Sequence, residues 1–229
     1  ASADEAEFDQ EKVKSMEIGA KMSLLDGAAE LNFAVFDMDY DDLQASIFTG
    51  ATGFKVENAA TATVRGFEVD GRWQVAESLM LRGSVGYVDF EFDAYDVAGC
   101  TNAQKDALTA VSTAAGGLPW GTFIKPAPGT SAGVATAVDL DGDGNTDSCE
   151  QNLAGGTNAF TPEWTGSLSL EHEMTIGDNL YLRTVLDANY LDDHHTAQGN
   201  DALGDQDAYT LWNLTLTLGA QDDRWDSSF

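Results

Sequence analysis

The chain has 229 residues, enough for one large β domain or two small ones. Its 39 acidic residues against 11 Lys and Arg give a formal net charge of −28, which excludes a nucleic-acid partner, because phosphates need a basic patch. Charge of that sign favours cationic partners or metal ions, unless it is only a solvated acidic surface.

No apolar run approaches the roughly 20 residues of a membrane helix, and the acidic stretch from Ala1 to Gln10 lacks the apolar core of a secretory signal. Two cysteines are too few for a disulfide scaffold. Gly is frequent and Pro scarce, 23 against 4, as suits many strands with few rigid linkers.

Taken in chain order, the pattern is one of alternating strands. Met16, Ile18, Ala20, Met22 and Leu24 share one parity, and Glu17, Gly19, Lys21 and Ser23 the other. Leu25-Asp26-Gly27 predicts a turn with positive backbone angles. The second strand opens with Leu31, Phe33 and Val35, then changes phase to Phe36, Met38 and Tyr40, which predicts either a bulge or an exit from the buried zone. After a loop near Thr49 to Gly53, a third strand runs through Asn58 to Phe67, Val69, Gly71, Trp73 and Val75. Ala76-Glu77-Ser78 connects it to a fourth, with Leu79, Leu81, Gly83, Val85 and Tyr87 on the apolar face. A second phase change follows at Tyr87-Val88.

The segment 94–160 has little periodic pattern and reads as a long insertion. Parity returns with Trp164, Gly166, Leu168, Leu170, His172 and Met174, then with Leu180 to Tyr190 after a tight turn at Ile176 to Asn179. A polar loop from Asp192 to Asp207 leads to Thr210, Trp212, Leu214, Leu216 and Leu218. An eighth strand begins at Arg224 and stops at Phe229.

Two regularities separate lipid from a protein core. Brief turns near 26, 77, 177 and 221 alternate with connections that tend to be longer, as in outer-membrane barrels. Tyr87, Trp164, Tyr190 and Trp212 each lie about eight to twelve residues from the nearest short turn, and a membrane strand needs about 9–11. Trp73 falls at the opposite rim. The fold class is therefore all-β: an antiparallel transmembrane β-barrel segment of about seven to eight long strands, with short periplasmic turns and long extracellular loops. A soluble β-sandwich alternates too, but with shorter strands and no such rhythm.

Several motifs add a family resemblance. Glu17-Ile18-Gly19-Ala20-Lys21, Phe36 with Asp41-Asp42-Leu43-Gln44, and Asn58-Ala59-Ala60 with Arg65-Gly66-Phe67-Glu68 resemble strands of TonB-dependent outer-membrane receptors. Thr161-Pro162-Glu163-Trp164 is similar to their re-entry into the barrel after a long loop, and Tyr209 to Leu214 looks like a late barrel strand. The resemblance spans nearly the whole chain. It implies a partial barrel domain over 1–229 in the bacterial outer membrane, the C-terminal portion of the barrel without its last strands. It also implies outer-membrane lipid, a plug with the remaining barrel or a partner chain, the TonB system and a small nutrient as partners. A barrel of about 22 strands must be plugged and cannot be closed by seven, and its open edges would expose unpaired backbone to lipid.

The long loop carries its own chemistry. Asp139, Asp141, Asp143, Gly144, Asn145, Asp147 and Glu150 match D-x-[DN]-x-[DN]-G-x5-E. Ca²⁺ takes six to eight oxygens, and such a loop supplies them: side chains of Asp139, Asp141 and Asp143, the Asn145 carbonyl, Asp147 directly or through water, and bidentate Glu150. The alternative is an acidic turn with no ion. Flanks without helical pattern make it a stand-alone loop, and affinity is expected to be weak, about 10⁻⁴–10⁻³ M. Cys100 and Cys149 would pair in an oxidising envelope compartment, closing about 50 residues and adding roughly 4 kcal/mol in the chain-entropy account. Two reduced thiols are the alternative. Thr101 to Ala115 is expected to be a short helix with Asn102 as N-cap.

Other candidates are weaker. His194-His195 beside Asp192 and Asp193 offers metal-ligand types, but adjacent histidines on a strand face opposite ways, so a solvated loop is the competing reading. His172 is expected at the rim or facing lipid. Glu68, Asp70, Arg72 and Arg82 take the lumen parity, either as pathway residues or as plain wall polarity. No nucleophile triad, P-loop or dinucleotide fingerprint occurs, so no enzyme is expected. The function expected from the resemblance is energised uptake of a scarce nutrient: siderophore-iron, cobalamin or an oligosaccharide. Rival readings are a small eight-stranded structural or adhesive barrel and a soluble calcium-binding β-domain.

Overall fold

The computed structural model describes residues 8–48, 54–101, 103–104, 123–124, 135–138, 148–197, 199–222 and 224–229. Eight strands form one antiparallel sheet in sequence order: β1 (Lys12–Leu24), β2 (Ala29–Phe48), β3 (Phe54–Ala76), β4 (Leu79–Tyr95), β5 (Trp164–Ile176), β6 (Leu180–Leu191), β7 (Tyr209–Ala220) and β8 (Asp226–Ser228). A meander of this kind follows from strong alternation joined by tight turns. At the first turn Leu25, Asp26 and Gly27 all take positive φ, as the Asp-Gly pair predicts.

One face is apolar. Phe33, Val35, Phe67, Val69, Val85 and Tyr87 lie in register across β2, β3 and β4, and the row continues through Gly166, Leu168, Leu186, Ala188, Trp212 and Leu214. These side chains have no protein layer over them among the described residues: Ile18 is 74% exposed, Leu168 54% and Leu214 58%. Contiguous apolar surface of that extent marks a membrane face. The buried cluster lies elsewhere, around Ala60, Ala62, Phe92, Ala98 and Leu153, with Tyr40, Leu43, Phe90 and Tyr95 packed against it.

The phase changes are exits, not bulges. Pairing runs unbroken through Val35↔Phe67, Phe36↔Gly66, Asp37↔Arg65 and Met38↔Val64. Above Val35 the former apolar face carries Asp37 and Arg65, paired at 2.8 Å, while the former polar face carries Phe36, Met38 and Tyr40. The polarity of the two faces inverts where the strands leave lipid for water. The real irregularity comes later, between Tyr40 and Leu43, where Asp42 takes φ 59°.

Within 94–160 the described residues include short paired strands that the pattern does not show. Residues 98–99, 148–151, 135–138 and 123–124 form a four-stranded sheet in that order. Phe92 N donates to Gly156 O, Gly155 N to Phe92 O and Leu153 N to Tyr95 O, at 2.8–2.9 Å, which fastens this segment to the top of β4.

Candidate functional site at the polar face and outer mouth

On the polar face, the sequence-selected residues occupy one region. Asp70, Arg72 and Arg82 line a depression of about 300 Å³ together with Glu30, Asn32, Ser84 and Ser167. Glu68 shares their face, opposite Ala34 and Gly86, but not the depression. Most of the polar groups in the depression meet a partner across the strands. Arg72 donates through Nε and Nη2 to both carboxylate oxygens of Glu30. Asn32 Nδ2 donates to Asp70 Oδ2 at 2.9 Å, and Arg82 Nη1 donates to Glu171 Oε2 at 2.9 Å. Arg183 approaches the other oxygen of Glu171 at 4.0 Å, and the hydroxyls of Ser84 and Ser167 meet at 2.7 Å. Glu30, Asn32, Glu171 and Arg183 went unselected, although their strand parity placed them on this face. These groups remain open to solvent, so the pairs add little to stability. Their effect is to hold long side chains against the wall, leaving a polar surface on which acidic groups outnumber basic ones.

The aromatic residues sit where the apolar face ends. Tyr87 lies opposite Trp164 with ring centroids 4.8 Å apart, and Phe67 packs 5.8 Å from each. Tyr190 donates its hydroxyl to Asp192 at 2.6 Å, and Trp212 is 65% exposed on the same face. Trp73 lies near the Glu77–Ser78 turn, opposite Ala29 and Leu81. Amphipathic rings in two rows bound a lipid-facing band.

With this architecture on the page, comparison with known proteins decides the family. The family described as TonB dependent receptor-like, beta-barrel matches residues 2–228. The chain belongs to that family. The ferric yersiniabactin uptake receptor FyuA from Yersinia pestis is similar in fold, with TM-score 0.57 and 17% identity over 95% of this chain and 24% of its own. The siderophore receptor PiuA from Acinetobacter baumannii gives TM-score 0.56 and 14% identity over 93% of this chain and 22% of its own. The chain thus spans about a quarter of the length of these solved receptors. No match was found among the curated proteins. Within this family the sheet is a partial barrel wall, the apolar face meets lipid and the polar face meets the lumen.

The outer mouth of this receptor wall holds the remaining candidates. The calcium-type residues Asp139, Asp141, Asp143, Asn145 and Asp147 lie outside the described residues; Glu150 is in the strand 148–151. Among the described residues no group of three or more metal-ligand side chains occurs. The pairing Ala98↔Gln151 and Gly99↔Glu150, carried one step further, sets the backbones of Cys100 and Cys149 opposite each other. Cys100 is buried and is not a free thiol; the Cys149 side chain lies outside the described residues.

Thr101 pairs with Gln104 at the start of residues 103–104: Gln104 N donates to Thr101 Oγ1 at 3.2 Å and Thr101 N donates to Gln104 Oε1 at 2.7 Å. That reciprocal pair is a capping box, legible in the sequence as Thr-x-x-Gln. Asn102, the expected cap, lies outside the described residues. The remainder of the expected helix, from Lys105 to Ala115, lies outside the described residues. His194 and His195 form a two-residue strand with Asp205–Gln206 rather than a plain loop. They diverge: His195 Nδ1 meets Asp205 Oδ1 at 2.5 Å and His194 Nδ1 meets Asp192 O at 3.0 Å. His172 lies on the lipid side, opposite Leu79 and Thr184.

Proposed function

We propose that this chain forms wall strands and part of the outer vestibule of a bacterial outer-membrane receptor that takes up a scarce nutrient, energised by the TonB system. The observation that carries the reading is the two-faced sheet: an aromatic-bounded lipid band backs a polar lumen face in a chain of this family. The role is read as transport because the family and the solved neighbours are receptors. A ferric siderophore is the first substrate to test, because two solved neighbours are a ferric yersiniabactin uptake receptor and a siderophore receptor; cobalamin and oligosaccharides follow. Ligand binding at the outer loops precedes plug movement in this scheme, with Glu68, Asp70, Arg72 and Arg82 along the path.

Two features brace the outer loop. Cys100 and Cys149 form a disulfide, a reading supported by the register of their strands. Asp139, Asp141, Asp143, Asn145, Asp147 and Glu150 hold a structural Ca²⁺, a reading supported by the spacing of their carboxylates. The deciding experiment is growth of a deletion strain on single ferric siderophores, cobalamin or an oligosaccharide as sole source, with and without a working TonB system. Loss of growth on one nutrient, in the TonB-proficient background only, is expected. Unimpaired growth on all of them would overturn the reading.

A further inference from the structure

Above the membrane band, the strand extensions and two loops line a partly open cavity of about 180 Å³. Its floor is the buried cluster, with Phe92, Tyr95 and Leu153 exposed to it, and its rim includes Gln44, Thr157 and Asn158. None of the described residues lining it is Asp, Glu, Lys, Arg or His, in a chain whose net charge is −28.

The cavity has a built back wall. Gln151, 1% exposed, donates both amide protons: to Gly99 O at 2.8 Å and to Gly199 O at 3.0 Å. Its oxygen accepts from Gln104 Nε2 at 2.9 Å, and Gln104 is fully buried. Gly99 and Gly199 both line the cavity and come from different loops, those after β4 and β6. With its amide turned so that both groups are satisfied, Asn200 adds a second tie, donating to Thr157 O at 2.8 Å and accepting from Thr157 N at 3.1 Å. The Gln151 amide uses both protons and its oxygen, which fixes the wall. Tyr95 is different. Its ring packs tilted against Phe92 with centroids 5.0 Å apart, and its hydroxyl has no hydrogen-bond partner among the described residues. Burial raises its pKa above the ordinary value, which keeps the phenol a neutral donor.

We propose that this cavity binds a single neutral ring carrying a hydrogen-bonding substituent, with Tyr95 as the polar contact and Gln151 as the residue that holds its two loops in place. An apolar cavity of about 150 Å³ takes a benzene ring, and this one leaves room for one substituent. A charged group would enter without a counter-ion and lose its hydration. The assignment takes its biological meaning from the receptor reading, as one moiety of a transported ligand. Its test is binding to purified protein and stands apart from uptake.

Benzyl alcohol, benzoate and benzylammonium are titrated against the full-length protein in amphipol by saturation-transfer NMR. The Ala159→Leu variant, which fills the cavity from its rim, serves as the blank for partitioning. Saturable millimolar binding of benzyl alcohol is expected, at least tenfold tighter than either ion, abolished by Ala159→Leu. Tyr95→Phe is expected to weaken it about three- to tenfold, the worth of one hydrogen bond. Binding of benzylammonium as tight as benzyl alcohol would show attraction to the acidic surface alone and overturn the proposal. So would binding that survives Ala159→Leu, or none at all in the parent protein. Unchanged binding by Tyr95→Phe would remove Tyr95 from the site.

Discussion

Substituting Leu168 and Ser169 by Arg, one at a time, tests the two-faced wall most directly. The two positions are adjacent on β5, and only parity separates them. Leu168 pairs with Gly83 and Ala188 on the lipid face and is 54% exposed. It lies four residues below Trp164, which at about 3.4 Å per residue and a tilt near 45° is roughly 10 Å below the aromatic rim. In a band about 25 Å tall that is close to the midplane, where Arg costs about 2–4 kcal/mol. Converted at 1.4 kcal/mol per tenfold, the folded-to-unfolded ratio should fall about 30- to 700-fold. Ser169 pairs with Arg82 and Asp187 on the lumen face, so Ser169→Arg stays in water and should cost under about 1 kcal/mol. Reversible urea unfolding of the full-length protein in lipid vesicles reads both. Equal costs, or a larger cost for Ser169→Arg, would refute the assignment of faces.

Three further outcomes follow from the geometry. A methyl group at Gly66 would collide with the Tyr87 carbonyl oxygen and lie 2.5 Å from Phe36 Cζ, so Gly66→Ala should cost about 1–3 kcal/mol as overpacking, and urea titration should show Phe36→Leu recovering part of it. A peptide covering 135–152 titrated with calcium should saturate in the millimolar range, and Glu150→Gln should weaken it; no saturation would remove the ion. Cys100→Ser should abolish a reductant-dependent shift on gel electrophoresis and increase protease cleavage within 94–160; a shift identical before and after the substitution would remove the disulfide.

Strand parity and the short turns were legible because each depends on neighbours in sequence. A local reading offers Thr101 and Asn102 alike as helix caps, and only Gln104, three residues on, marks the capping box at Thr101. The phase change at Val35-Phe36 was ambiguous for a different reason. A bulge and a change of solvent leave the same pattern in one strand, and only the unbroken partner register separates them. Lumen partners such as Glu30 and Glu171 are 42 and 89 residues from the arginines they meet, a separation that periodicity within a hairpin does not reach. The small sheet within 94–160 pairs strands of two to four residues, too short to show a period.

The inversion of the faces also fixes how this wall can change length. The 23 residues of β3 extend about 76 Å, and at a tilt near 45° they climb roughly 54 Å, about twice the lipid band. The upper half is a parapet standing in water. Because side chains alternate, two residues added to each strand above Phe36 would raise the parapet and keep Phe92 inward. One added residue would turn Phe92 and Ala62 out to solvent and bring Asp37 in. Rim height in such a wall is therefore available only in even steps, while the staves below it stay as they are.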